Sequence, residues 1–532
     1  MGKVVKEHSR TTNTIYNFTT SMGGQLITIV MHFAVRTVFV HTLGKSYLGI
    51  GGLFSNILTM LSLAEFGVGS AIIFKLYKPI AEHDYHRIAV LMKFYKVVYR
   101  LIGMAVALIG IILIPFLPSL IKDYDKLISL HINAEFIFLL YLLKSVSSYL
   151  FFAYKSSIVK ANQKEYLLNL ITYIFTIVAS VLQILSLLIW PNFTLYVLIM
   201  IIQIIGQNLA CAVLSDKMYP YINEKNTERL SGEEIKEIIK DCAALFLYKL
   251  NGVVLKATDN LVLSVFIGLD AVAEYSNYYI LYTTINTLFA KIYNSVSHSL
   301  GNLNAKESKE KKYQVFESTV LITAILGGTA GVGIFVVADE LIDTWIGFDW
   351  VLKQPFSLIM GLEVFTLAFR ICLSKFRTTM GLFQQAKWRP LAGMIINLII
   401  SILLVRKWGI VGVLIGTVVA DWSTTMWFDP IIIHKYGYNN QKEVSVYFIK
   451  LFKYLVVCGL IGGLDYYICS HFLTGAGWIS VFVHAIICGI SVPAALVIGS
   501  IRYPEGRYVF SLMLRVIKDF YNKLTKKIIK KY

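Results

Sequence analysis

Residues 170–190 read LITYIFTIVASVLQILSLLIW, twenty-one consecutive positions without one charged side chain. The run does not alternate in polarity, and it is twice the roughly ten residues that a membrane β-strand uses. A helix of about twenty apolar residues crosses the roughly 30 Å hydrocarbon core of a bilayer. Only helices and closed barrels satisfy every backbone polar group in lipid, so this stretch reads as a transmembrane helix.

Worked outward, the same length rule divides the chain into fourteen segments. The first seven are 16–40, 47–74, 97–121, 134–153, 166–190, 194–214 and 243–267. The second seven are 275–300, 315–338, 354–374, 390–405, 409–433, 454–472 and 479–501. Of 532 residues, 56% are hydrophobic and 15% charged, and the mean hydropathy is +0.65, more than a soluble domain needs to fill its core. The expected fold is therefore an all-α polytopic membrane protein of about fourteen transmembrane helices. Pro115, Pro118, Gly327, Gly328, Gly331, Gly333 and Pro493 fall inside segments, where they predict kinks or close helix packing. No cleavage-site pattern follows a short apolar run at the N-terminus, so the first segment reads as retained.

The net charge of +18 raises the question of nucleic acid, and the placement of the charges answers it. With the N-terminus inside, 37 of the 50 basic residues fall in inner segments, six in outer joints and seven within spans. That asymmetry predicts both termini in the cytoplasm and makes the charge a topology signal rather than a nucleic-acid footprint. Cys211, Cys242, Cys372, Cys458, Cys469 and Cys488 form no C-x-x-C pair and read as small apolar residues. The longest joint, 215–241, holds Tyr219-Pro220-Tyr221 and the charged run 233–240, and reads as a linker with a surface helix. The tail, 508–532, sets six lysines among Phe, Leu and Ile and reads as an amphipathic helix on anionic lipid.

The two halves echo each other. Thr42-Leu43-Gly44-Lys45-Ser46 turns the first span into the second, and Phe266-Ile267-Gly268-Leu269-Asp270 turns the seventh into the eighth, with the two glycines 224 residues apart. Six spans on each side in the same sense point to two parallel repeats facing one central cavity. The expected division is a six-helix lobe at 1–225, a second at 226–448, and an extra helix pair with a basic tail at 449–532.

Four stretches carry a family resemblance: Leu63-Ala64-Glu65-Phe66-Gly67-Val68-Gly69, Lys160-Ala161-Asn162-Gln163-Lys164-Glu165-Tyr166, Thr258-Asp259-Asn260-Leu261-Val262-Leu263-Ser264 and Trp408-Gly409-Ile410-Val411-Gly412-Val413. With them the chain resembles the multidrug/oligosaccharidyl-lipid/polysaccharide (MOP) exporter superfamily, and within it the polysaccharide and O-antigen repeat-unit flippases. The resemblance implies two six-helix lobes, alternating access, and two extra helices that accompany a groove for a polyprenyl tail. It also implies a polyprenyl-diphosphate-linked oligosaccharide as substrate, membrane lipids as surroundings, and polysaccharide polymerase or glycosyltransferase machinery as partners in a bacterial cytoplasmic membrane.

A charge near the bilayer centre costs about 2.5–3.5 kcal/mol on insertion scales, so each one needs a cavity, a partner or a route to the interface. Gln25, Thr28, His32 and Arg36 follow one helical stripe, as do Lys249, Gly252, Lys256 and Asn260. Lys291, Asn294 and His298 align on the eighth span, and Glu363 and Arg370 on the tenth. As cavity residues, Arg36, Lys256, Lys249, Lys291 and Arg370 would meet a diphosphate, while His32, Gln25 and Asn260 meet sugar hydroxyls. Lys144 on the fourth span is a further candidate for lining the N-terminal lobe. The competing reading pairs Arg36 with Glu65, Lys256 with Asp259 and Arg370 with Glu363 to hold helices in register. Glu65 and Asp259 are also candidates for a coupling ion. Asp421, Asp429 and Asp465 have no basic partner within their own spans.

Three function classes remain: a flippase, an ion-coupled multidrug exporter of the same superfamily, and a membrane enzyme. The exporter would want an acidic or aromatic cavity rather than these cations. An enzyme needs an acid/base or metal constellation in an outer loop, and Asp339, Glu340, Asp343 and Asp349 in the longest outer joint lack a nucleophilic or basic companion. His32, His298 and His484 have no metal-ligand spacing and no Walker motif is present, so neither catalysis nor a cofactor is expected.

Overall fold

A computed structural model describes the backbone of residues 10–62, 68–122, 124–130, 132–224, 230–306, 308–352, 354–382, 384–438, 443–473 and 477–511. Within these ranges the side chains of 10–19, 22, 70, 71, 241, 243–257, 295–299, 301–306 and 309 lie outside the description. The described chain consists of α-helices joined by short turns, with no strand among the described residues. It packs as two compact units, Met1–Ala273 and Glu274–Tyr532.

Unit 1 contains α1 (Arg10–Leu61), α2 (Val68–Ala81), α3 (Tyr85–Leu113), α4 (Leu117–Leu120), α5 (Tyr124–Ser129), α6 (Ala134–Leu150), α7 (Ser156–Ala161), α8 (Glu165–Ile189), α9 (Phe193–Met218) and α10 (Gly232–Phe266). After α11 (Leu269–Lys306), unit 2 continues with α12 (Lys309–Ile346), α13 (Phe356–Thr379), α14 (Arg389–Ser423), α15 (Thr425–Ile432), α16 (Val444–His471) and α17 (Trp478–Ser500). The described parts of the fourteen expected spans lie mainly on helices. Among the described residues nine helical stretches are long and apolar enough to cross a membrane, or ten if the pair broken by 43° after Leu150 is one span. Two of the nine hold two spans each, because α1 breaks at Gly44 and α14 at Gly409. The charge-bearing α10 and α11 are not among the nine.

The paired glycines of the repeat have one conformational role. Gly44 has φ 78° and Gly268 φ 130°, a region that L side chains rarely adopt, so each lets one span turn sharply into the next. Residues 63–67 of the second expected span lie outside the described residues; α1 ends before them at Leu61 and α2 starts after them at Val68, where the Tyr95 hydroxyl donates to the Gly69 carbonyl at 2.7 Å.

The mid-chain joint also differs from the reading of a separate surface helix. Residues 233–240 are the first turns of α10, which continues without a break into the seventh span. Ser231 caps it by accepting from the Glu234 backbone N–H, and the Glu234 carboxylate accepts from the Ser231 N–H, a capping box that satisfies two otherwise orphaned donors. Arg87 pairs with Glu234 and Lys75 with Glu237 at 2.7 Å, which ties this extension to α3 and α2.

In unit 2, α12 is the central helix, packed on α13, α16 and α17. A Cβ at Gly331 would lie 2.5 Å from the Gly361 carbonyl oxygen, so the α12–α13 crossing needs both glycines. Gly328 receives Cys458 of α16 and Val492 and Leu496 of α17. Five of the six cysteines are buried and all six are free thiols, as expected for apolar fillers.

Candidate functional site

The stripe on α1 carries its polar residues into unit 1. His32 is exposed, while Gln25 and Arg36 are half-buried. The Arg36 guanidinium interacts electrostatically with the hydroxyls of Tyr141 on α6 and Tyr196 on α9. The rings around it form an edge-to-face cluster, with Phe39 5.0 Å from Tyr196 and 5.8 Å from Phe193. One helical turn beyond Tyr141, the Lys144 ammonium lies 5.7 Å from the centre of the Tyr141 ring. Tyr141 thus lies beside Lys144 and within electrostatic range of Arg36.

The second stripe lies on α10 in the same unit. Lys249 and Lys256 occupy helical positions there, with side chains outside the described residues. Asn260, one turn after Lys256, is buried, and no described residue satisfies its carboxamide oxygen. Asp259 is buried beside it. Glu65 lies outside the described residues, as do the side chain of His298 and the tail from 512.

Unit 2 holds a different kind of charge cluster. Arg370 pairs with Asp421 of α14, lies 3.7 Å from Glu363 two turns earlier on the same face of α13, and donates to the Tyr282 hydroxyl at 2.8 Å. Tyr282 in turn donates to Glu363 at 3.1 Å. Nearby, Asp429 accepts from Arg389 at 3.0 Å and sits 3.6 Å from Arg377. Three guanidiniums thus face three carboxylates, all largely buried, and the network is neutral as a whole. Asp421 and Asp429, which lack a basic residue within their own spans, find one on a neighbouring helix. Asp465 takes a hydrogen bond of 2.6 Å from Ser491. Lys291 is half-buried on α11.

Asp339 and Glu340 of the long outer joint have side-chain partners as well. Asp339 accepts from Tyr278, Ser357 and Gln354 at 2.7, 2.7 and 2.9 Å, and Glu340 pairs with His484 at 2.6 Å. They serve as helix ties. Among the described residues no group of three or more His, Cys, Asp or Glu could hold a metal ion.

No protein-family model matches this chain, and no curated protein sequence does. Solved structures do match. The lipid II flippase MurJ, in an inward closed conformation, superposes with a TM-score of 0.63 at 15% identity, over 91% of this chain and 98% of its own. An inward-facing multidrug resistance MATE transporter of the MOP superfamily gives 0.58 at 14% identity, over 78% of this chain and 96% of its own. A eukaryotic MATE transporter gives 0.55 at 15% identity, over 80% and 95%. This is the MOP-exporter fold.

Within the MOP fold the expected site residues divide between the two compact units. Gln25, His32, Arg36, Lys249, Lys256, Asp259 and Asn260 belong to unit 1, and Lys291 and Arg370 to unit 2. Arg370 has its charge balanced by carboxylates, and the Lys144 ammonium lies over the Tyr141 ring. Helical spacing could not disclose the roles of Tyr141 and Tyr196. Their signal lies in the tertiary contact, since α6 and α9 come to α1 from about 105 and 160 residues away.

Proposed function

We propose that this chain is a flippase that moves polyprenyl-diphosphate-linked oligosaccharide repeat units from the inner to the outer leaflet of the bacterial cytoplasmic membrane, by alternating access, for capsule or exopolysaccharide assembly. The observation that carries the reading is the extent of the match to a lipid II flippase, 91% of this chain against 78% and 80% for the two MATE transporters. The cationic character of unit 1 supports it. Arg36, with Lys256 and Lys249 on α10, would bind the diphosphate, and Gln25, His32 and Asn260 the first sugar. Arginine supplies a planar fork to phosphate oxygens and lysine a mobile point charge. In unit 2, Lys291 is a further proposed substrate contact, and Arg370, held by Asp421 and Glu363, would contribute through its position in the buried network. Glu65 and Asp259 are the proposed coupling-ion or pairing residues. Polysaccharide polymerase or glycosyltransferase machinery would work beside the chain.

The test is the lipid-linked intermediate that accumulates in cells lacking the protein. A polyprenyl-diphosphate oligosaccharide retained on the inner leaflet is the expected result. No accumulation, with a gain of drug sensitivity instead, would replace the reading by an ion-coupled multidrug exporter.

A further inference from the structure

Unit 1 contains two polar cavities that share a wall. The smaller, about 220 Å³, lies between α1, α6 and α9 and is lined by Ser55, Thr59, Ser62, Lys144, Ser145 and Ser148. The larger, about 480 Å³, is lined by the carboxamides of Asn169, Gln207 and Asn208 and the hydroxyls of Ser156, Ser157 and Thr172. Asn208 Nδ2 donates to the Ser148 carbonyl at 3.5 Å, so the two linings meet.

The chemistry of the two linings differs. Lys144 has three donors, and the Tyr141 ring, its one contact shown among the described residues, leaves them open to an acceptor in the cavity. The surrounding hydroxyls return their protons to their own helices: Thr59 to Ser55 at 2.7 Å, Ser62 to Leu58 at 2.7 Å and Ser148 to Ser145 at 2.6 Å. Such back-bonds are weak, so these groups can turn to donate to an anion or can accept from a sugar hydroxyl. The larger cavity also holds Lys160 and Glu165, half-exposed and 3.8 Å apart, which offset each other's charge. The rest of its polar lining is carboxamides and hydroxyls, each both donor and acceptor, as a polyol requires. Its volume falls within the roughly 300–1,000 Å³ of small-molecule sites, while the smaller cavity is of subsite size.

We infer that unit 1 by itself carries a two-part head-group site, with a phosphate seated at Lys144 and an uncharged sugar ring in the carboxamide cavity next to it. The inference rests on the flippase reading and adds to it a residue and a pocket on α6 and α9. Tyr141, whose ring centre lies 5.7 Å from the Lys144 ammonium, lines the smaller cavity as well. A cationic drug would be repelled at the same place.

The experiment uses the full chain in phosphatidylcholine nanodiscs, titrated with inorganic pyrophosphate and with a farnesyl-diphosphate-linked N-acetylhexosamine. Lys144→Gln should weaken both probes by at least about tenfold, the scale of one charge-assisted hydrogen bond, whereas Lys144→Arg should stay within about threefold of the parent. Gln207→Ala with Asn208→Ala should leave pyrophosphate unchanged and weaken the sugar-bearing probe several-fold. If Lys144→Gln lowers abundance, Thr59→Ala with Ser145→Ala carries the test, and an unaltered affinity for both probes overturns the site. Lys144→Gln binding like the parent also overturns it.

A second set in phosphatidylglycerol nanodiscs separates the sources of phosphate. Equal parent affinity in both lipids supports a carrier head group, and competition seen in the parent but not in Lys144→Gln assigns the seat to bulk lipid and overturns the sugar-carrier role. Pyrophosphate binding lost in Lys144→Gln, in cells that accumulate no lipid-linked intermediate, would keep the phosphate seat and sink the flippase reading. Accumulation with unaltered binding would do the reverse.

Discussion

At the scale of single residues, the cost of a charge in hydrocarbon is the most informative rule. It singles out Arg36, Lys144 and Arg370 from the sequence, and all three sit in polar surroundings. It does not say which are free to meet a substrate. Arg36→Gln should cut export by about tenfold or more at normal membrane abundance, since polarity stays and the charge-assisted bond goes; Arg36→Lys should recover part of it. Transport equal to the parent in Arg36→Gln would remove Arg36 from the site. The Asp429 cluster predicts an asymmetry of another kind. Asp429→Asn leaves Arg377 and Arg389 buried without their shared carboxylate and should cost about 3–5 kcal/mol, while Arg389→Gln, which leaves Arg377 in place, should cost clearly less. Thermal unfolding of the purified variants measures the difference, and equal losses would refute it. Sequence periodicity could not reveal these pairs, because Arg370 and Asp421 are 51 residues apart and Arg389 and Asp429 are 40 apart.

At the scale of elements, glycine acts by position rather than by number. Gly331→Ala drives a methyl against the Gly361 backbone and should destabilise by about 1–3 kcal/mol. Gly333→Ala, with nothing within 4 Å, should be nearly neutral, and the two can be compared by thermal unfolding. Equal behaviour would mean that the α12–α13 crossing is looser than described. The start of α10 offers a pH test. The Ser231 backbone N–H, and after it Arg87, hold the Glu234 carboxyl below the usual carboxylate range. A lowered folded value means that its contribution is full above the ordinary carboxylate pKa and is lost as pH falls through the lowered one. Protection from hydrogen exchange over 232–240, taken relative to the intrinsic exchange rate at each pH, should therefore be high at neutral pH and fall only in strong acid, and Ser231→Ala should bring the fall forward at a cost of about 1 kcal/mol. Exchange unaffected by both changes would show that the cap does not hold this end.

At the scale of the whole molecule, the distribution of basic residues predicts a topology. With 37 basic residues on one set of joints and six on the other, a reporter fused after Tyr532 should be active only on the cytoplasmic side. Activity on the outer side would mean one miscounted span, and the last two, 454–472 and 479–501, are the first place to look. The sequence by itself determined that the chain is helical and polytopic, where its long apolar helices lie, and that its halves share a glycine turn. Those properties follow from run length, apolar content and backbone conformation, which are local and visible along the chain. Only the tertiary structure decided that Arg370, Arg377 and Arg389 are balanced by carboxylates, that 233–240 is continuous with the seventh span, and that Lys144 faces a hydroxyl-lined cavity. Those properties depend on which helices touch, and side-chain pairing across tens of residues leaves no periodic trace in the sequence.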